Sequence, residues 1–396
     1  MIGKKKILID ILTNIVAVAI PTVVLQLYIL PKISSYMTSE EYGLVVTILA
    51  LMNTFPSAIG NVLNNVRLLH QLDYDEMHYP GDVPLILLVV EVINVIFLTV
   101  ASIIYLDSEN YLEVCLTVLV GVLWLAKEYH SVTFRLKIDY KAILINNLWA
   151  VVGYLVGYHL FRVVGYWQII YIMSMVISYM HLMIKTDIIF EKPGIGTHFK
   201  YCVKDVFTLS GSTVLARLIN YADKILIYPI MGGTAVAIYY AATLLSKVVS
   251  LVITPINSVV LTYLTKYKNK PDSIFRWTVV SGSIVCLIGY FATIMVSKPL
   301  LTILYPNYVD EAMKYIYITS ISIVVSVLTT IITPFVLKFC DTTWQVIINI
   351  ITTVVYICVS LTLVSSLGLT GFCVGVLTAN LVKFTATLWA YYRHGK

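Results

Sequence analysis

About a dozen apolar runs, each close to twenty residues long, follow one another through this 396-residue chain with little between them. A bilayer's hydrocarbon core is about 30 Å thick and takes about 20 helical residues to cross. With 59% hydrophobic and 12% charged residues, nothing is left over for a soluble domain. In lipid the backbone must satisfy its own hydrogen bonds, and strand-type alternation is absent, so the fold class is all-α polytopic membrane protein. Function must then reside in the few polar side chains that the spans carry.

Twelve helices are expected at about 7–30, 42–68, 83–106, 112–134, 140–162, 166–186, 205–230, 234–263, 275–297, 311–337, 342–365 and 369–392. Lys4-Lys5-Lys6 precedes a run too long for a signal-peptide core, and no small-residue cleavage site follows, so the first run reads as a retained helix. Numbered from the N-terminus, one set of loops and ends carries eighteen Lys and Arg, whereas the other carries only Lys32, Arg162 and Lys298. This positive-inside bias places both termini in the cytoplasm of a multi-pass protein. Topology therefore accounts for the net charge of +6, and no nucleic-acid partner is implied. Cys115, Cys202, Cys286, Cys340, Cys358 and Cys373 are scattered without a C-x-x-C, which speaks for packing and against a metal or a disulfide framework. No cofactor is expected.

The chain overlays itself at an offset of about 198: Pro31 and Tyr42 match Pro229 and Tyr240, and Pro56 falls one position from Pro255. With an even number of spans and a long basic segment in the middle, this favours two six-helix lobes, 1–190 and 205–396, joined by a cytoplasmic loop at 191–204. Both lobes would cross in the same sense, as in parallel-repeat transporters.

Charged groups inside spans cost about 2.5–3.5 kcal/mol each at a helix centre. The seventh helix nevertheless places Ser210, Thr213, Arg217, Asn220, Tyr221 and Lys224 on one face, with Arg217 near mid-depth. The eighth repeats the pattern with Thr243, Lys247, Ser250, Thr254 and Asn257. The second shows Thr47, Thr54, Ser57, Asn61 and Asn64, and the twelfth adds Asn380, Lys383 and Thr387. These stripes imply a polar cavity shared between the lobes. Glu91 and Lys127 lie at similar depths on neighbouring helices and read as a structural ion pair, while Glu128 and Lys314 reach the interface. A buried polar network would also accommodate Arg217 and Lys247. The sign of the excess favours a ligand: Arg217, Lys224, Lys247 and Lys383 face one acidic side chain, Asp223. An anion is indicated, and the planar fork of Arg suits phosphate oxygens.

Three segments then resemble a known family. They are Leu-Pro-Lys-Ile-Ser-Ser-Tyr-Met-Thr-Ser-Glu-Glu-Tyr-Gly-Leu from Leu30 to Leu44, Tyr221-Ala222-Asp223-Lys224-Ile225-Leu226-Ile227 with Gly232 and Ala237-Ile238-Tyr239, and Lys298-Pro299-Leu300-Leu301-Thr302-Ile303-Leu304-Tyr305-Pro306-Asn307-Tyr308 with Ala312. Their order and spacing resemble polysaccharide-repeat-unit flippases (O-antigen and capsule type) of the multidrug/oligosaccharidyl-lipid/polysaccharide exporter superfamily. The resemblance implies a V-shaped pair of six-helix lobes around a central cavity, working by alternating access in a bacterial plasma membrane. It implies an undecaprenyl-diphosphate-linked oligosaccharide as cargo, polysaccharide-assembly proteins as partners, and Arg217 as the best-matched diphosphate ligand. Sodium or proton coupling through Asp223 is left open, because acidic partners are missing from the eleventh and twelfth helices. A multidrug or cation exporter of the same superfamily is the alternative. A glycosyltransferase or polymerase fits less well, since no external loop exceeds about fifteen residues and Gly194-Ile195-Gly196-Thr197 is no phosphate-binding loop.

Overall fold

The computed structural model describes residues 4–71, 74, 81–106, 110–245, 264, 267 and 270–394. Among them nine stretches are long and apolar enough to cross a membrane, and no strand occurs. The chain forms two compact units, Met1–Gly233 and Thr234–Lys396.

Unit 1 begins with α1 (Lys4–Val24), which runs through a π-helical turn at Leu25–Ile29 into α2 (Leu30–Ser34). Pro21 inside α1 cannot donate to the carbonyl four residues earlier. That carbonyl, on Ala17, instead accepts a bond of 2.9 Å from Asn147 Nδ2. α3 (Ser39–Thr54) and α4 (Pro56–Leu69) form one span that breaks at Phe55, ahead of Pro56. α5 (Asp82–Tyr105) and α6 (Tyr111–His130) follow, then the short α7 (Val132–Leu136), α8 (Tyr140–Val164) and α9 (Gln168–Lys185). α8 and α9 pack along their lengths. Gly153 and Gly157, four apart, let the backbones close to where a Cβ on Gly157 would sit 2.6 Å from Ile170 Cα. α10 (Phe199–Ala242) is two helices joined at Gly232, whose φ of 80° breaks the helix, and the arm before Gly232 belongs to unit 1. Pro229 frees the Ile225 carbonyl, and Tyr105 Oη donates to it at a long 3.5 Å.

The core of unit 1 joins α4, α5, α6 and α10 through Ile59, Leu63, Val66, Val83, Leu87, Leu125, Tyr129, Cys202 and Val206. The opposite face of α5 exposes Val89, Val92, Ile96 and Ile103, each more than half accessible. An apolar helix with one packed and one open apolar face is what a lipid solvent permits.

Unit 2 contains α11 (Asp272–Leu304), α12 (Val309–Phe339) and α13 (Thr342–His394). Gly368, at φ 57°, splits α13 into two helices. α12 packs against both α11 and α13. Phe275 stacks on Tyr391 at 3.7 Å between ring centres, and Phe335 meets both rings. The expected eighth span is described only as far as residue 245, so Lys247, Thr254, Pro255 and Asn257 lie outside the described residues.

Candidate substrate and coupling residues

The first arm of α10 carries Arg217, Tyr221, Asp223 and Lys224. Arg217 stands close to the midpoint of the 199–231 arm, half-buried, with its guanidinium beside the Tyr221 hydroxyl one turn on. It makes no ion pair among the described residues. Lys224 is buried and ion-paired with Asp223, so its charge is locally neutralised. That leaves one unneutralised guanidinium, an adjacent phenolic donor and the exposed Asn220 along a membrane-embedded arm. Such a set can donate several hydrogen bonds to an anion, two of them from the guanidinium fork.

The other expected residues divide. Asn61 is exposed on α4, its Oδ1 accepting from Asn65 at 3.2 Å. Thr47 and Thr54 are buried and donate back to the carbonyls of Gly43 and Ala50, so they turn their hydroxyls into their own helix. Asn64 donates to the Glu128 carbonyl and to Ser131 Oγ and accepts from Arg135 at 2.7 Å, which makes it a cross-link between α4 and α6. Lys383 lies in unit 2, half-buried, with no ion-pair partner among the described residues. Asn380 bonds Ser322 Oγ at 2.8 Å. Lys247 is outside the described residues.

The expected Glu91–Lys127 ion pair does not form. Glu91 Oε2 instead accepts from Asn94 Nδ2 at 3.1 Å, one turn along α5. Nearby, the Tyr179 hydroxyl lies 2.9 Å from His130 Nδ1, a pairing that the sequence pattern did not single out.

A second cluster ties the 187–205 segment to the helix ends of unit 1. Arg67 pairs with Glu191 at 3.4 Å, bonds Gln71 at 2.8 Å and covers the Tyr74 ring at 4.8 Å. His70 Nε2 meets Asp205 at 2.9 Å, Tyr74 Oη meets Cys202 Sγ at 2.9 Å, and the Gly196 N–H donates to the fully buried Asp82. Burial raises the Glu191 carboxyl above its ordinary range, more than Arg67 lowers it. Expected as a loop between lobes, this segment is a docked element of unit 1.

No family model matches the chain, and no curated protein matches its sequence. Solved structures do match its fold. Lipid II flippase MurJ in an inward closed conformation matches with a TM-score of 0.73 at 12% identity, over 97% of this chain and 86% of that one. An inward-facing multidrug resistance MATE family transporter of the MOP superfamily matches with a TM-score of 0.68 at 13% identity, over 96% and 98%. An outward-facing MATE family transporter gives 0.64 at 12% identity, over 97% and 95%. This chain thus has the all-helical, polytopic membrane fold of the MATE and MurJ transporters. These neighbours are transporters and a flippase, not enzymes.

Proposed function

We propose that this protein is a flippase that carries a polyprenyl-diphosphate-linked oligosaccharide across the bacterial plasma membrane by alternating access. Twelve spans form two six-helix lobes, 1–190 and 205–396, joined through 191–204, with a V-shaped cavity between them and both termini in the cytoplasm. The observation that carries this reading is Arg217: a guanidinium near the middle of a membrane-embedded arm, beside Tyr221 and, among the described residues, without a carboxylate to neutralise it. A cation left uncompensated at that depth is costly unless a ligand compensates it. A diphosphate supplies the missing charge and matches the fork. Arg217 and Tyr221 take the diphosphate, with Lys247, Lys383 and Asn61 further along the path. Lys224 holds Asp223 and takes a phosphate oxygen only when that pair opens.

The likeness to a lipid II flippase supports a lipid-linked cargo, and the likeness to multidrug transporters keeps drug export as the second reading. The excess of basic over acidic groups on the α10 arm favours the first. Reconstituted protein given a fluorescent polyprenyl-diphosphate oligosaccharide separates the two. Wild-type protein transfers the lipid between leaflets. Arg217→Ala loses about ten- to a hundredfold in rate, because charge-assisted bonds contribute about 1.5–3 kcal/mol. Transfer that is untouched by Arg217→Ala discards the site and keeps the function. No transfer, together with efflux of a cationic dye, establishes the exporter instead.

A further inference from the structure

α5 is strongly apolar, yet it carries Glu91 and Asn94 one turn apart. Glu91 is nine residues beyond Asp82, which at 1.5 Å per residue is about 13 Å into a core about 30 Å thick. Asn94 is fully buried. Its amide nitrogen serves Glu91 Oε2, but Glu91 Oε1 and Asn94 Oδ1 are both shut away from solvent and accept nothing. Both are acceptors only, so neither can satisfy the other. Buried polar atoms in folded proteins are nearly always paired, and each exception asks for a reason. The pair is short of one hydrogen. A proton on Glu91 turns an acceptor into a donor and is the smallest species that balances the site.

The neighbours leave this role to a proton. α5 packs against α3, α4 and α6 and shares a core with α10. Of the charged groups on those helices, Arg67 is paired with Glu191, Asp205 with His70, and Lys224 with Asp223. Lys127, Glu128, Lys200, Lys204 and Arg217 form no ion pair with Glu91, Asp82 accepts from the Gly196 N–H, Glu113 accepts from Asn110 and Gln168, and Glu40 and Glu41 belong to the far end of α3. The Tyr105–Ile225 bond sets an offset of 120 residues between α5 and α10, which places Gly211 level with Glu91 and Ser210 next to that level. Ser210 Oγ is also buried and without a partner.

Tyr179 of α9 is engaged elsewhere: its hydroxyl is 2.9 Å from His130 Nδ1, and that same nitrogen is 2.8 Å from the Ala126 carbonyl.

We infer that Glu91 and Asn94 form a proton-binding site within unit 1. The proton that binds adds an O–H bond at Glu91 Oε1, discharges the carboxylate and turns an acceptor into a donor, with no other bond made or broken. A carboxyl that is neutral in one stage and ionised in another gives a transporter a lever in a low-dielectric setting. Only this last role rests on the transporter reading; proton binding does not.

The test uses the full-length protein in lipid vesicles of defined composition, read by infrared difference spectroscopy while the pH is stepped. The expected result is a protonated-carboxyl band that is sensitive to deuterium, titrates in wild type, is missing from Glu91→Gln and persists in Asp223→Asn. Glu91→Asp is the second variant, and there the band moves rather than vanishes. A spectrum unchanged in Glu91→Gln overturns the site. A band abolished by sodium at fixed pH overturns the proton in favour of a metal cation.

Discussion

Unit 1 and unit 2 are built from the same kind of apolar helix but are held together differently. In unit 1 polar side chains reach across helices: Asn64 to Glu128 and Arg135, Asn146 to Ser178, Asn147 to Ala17, Arg67 to Glu191, and Glu40 to the Gly233 N–H at 2.7 Å. In unit 2 the hydroxyls of Thr330, Thr333, Thr352, Thr353 and Thr378 donate to the carbonyl four residues back in their own helix. Among its inter-helix bonds, Asn380 to Ser322 and Thr319 to Ala242 are the clearest. Its packing is aromatic, centred on Phe275, Phe335 and Tyr391. Directional bonds fix a register, whereas van der Waals packing of rings and small residues tolerates sliding. Unit 1 is therefore the half in which a single polar or steric change should cost most.

The largest effect should come from backbone contact. A Cβ on Gly43 would overlap the carbonyl of Gly233, and backbone cannot yield as a side chain does. Gly43→Ala should lower unfolding stability in detergent by at least about 3 kcal/mol, if folded protein is recovered at all. The counterpart in unit 2 is Gly282→Ala, where the nearest atom is Leu328 Cδ2 at 3.3 Å. That methyl can move, and alanine gains up to about 1 kcal/mol of helix propensity over glycine. Thermal melting of the two variants side by side checks the contrast, and equal losses would erase it.

Next comes the docked segment. Arg67 is only 5% exposed and holds Gln71, Glu191 and the face of Tyr74 together. Arg67→Ala strands a half-buried carboxylate and frees Gln71 and the Tyr74 ring, and should cost about 1–3 kcal/mol. Asn380→Ala in unit 2 removes a neutral bond to Ser322 and should cost about 1–2 kcal/mol. Proteolysis within 187–204 should accelerate in Arg67→Ala and stay at the wild-type rate in Asn380→Ala.

How far the sequence could be read follows from the same contrast. Helices were legible because lipid forces them, and their limits were legible from Pro, Gly and charge. The motif Thr38-Ser39-Glu40-Glu41 could be found by resemblance, and its physics is now plain. Thr38 and Glu41 form a capping box, while Glu40 clasps the turn at Gly233. Arg217 was legible because a charge in an apolar run stands out. The role of Asp223 was not, since adjacent residues on a helix do not ordinarily face each other, and only the structure pairs it with Lys224. Depth alone suggested Lys127 as the partner of Glu91, but depth says nothing about azimuth, and Asn94 on the same helix takes the contact instead. The docking of Glu191, Gly196 and Asp205 was invisible, because a basic loop and a packed strap have the same composition.

The smallest effect concerns the charge inside that strap. Burial raises the Glu191 carboxyl, and the attraction of Arg67 only partly opposes it. A carboxyl raised on folding contributes stability that is complete below its ordinary value of 4.5 and is lost as the pH climbs through the raised value. Glu191→Gln has the shape of the protonated acid but does not titrate. The variant should therefore match wild type in acid and be slightly the more stable of the two near neutrality, the gap opening as the pH rises past the ordinary glutamate range. Melting curves of both proteins across pH 4 to 8 decide it. A gap of the opposite sign, with Gln the weaker at neutral pH, would mean that the ion pair with Arg67 outweighs the burial of its charges. The strap would then be held by electrostatics, where the present geometry has it held by the N–H groups and side chains packed around it.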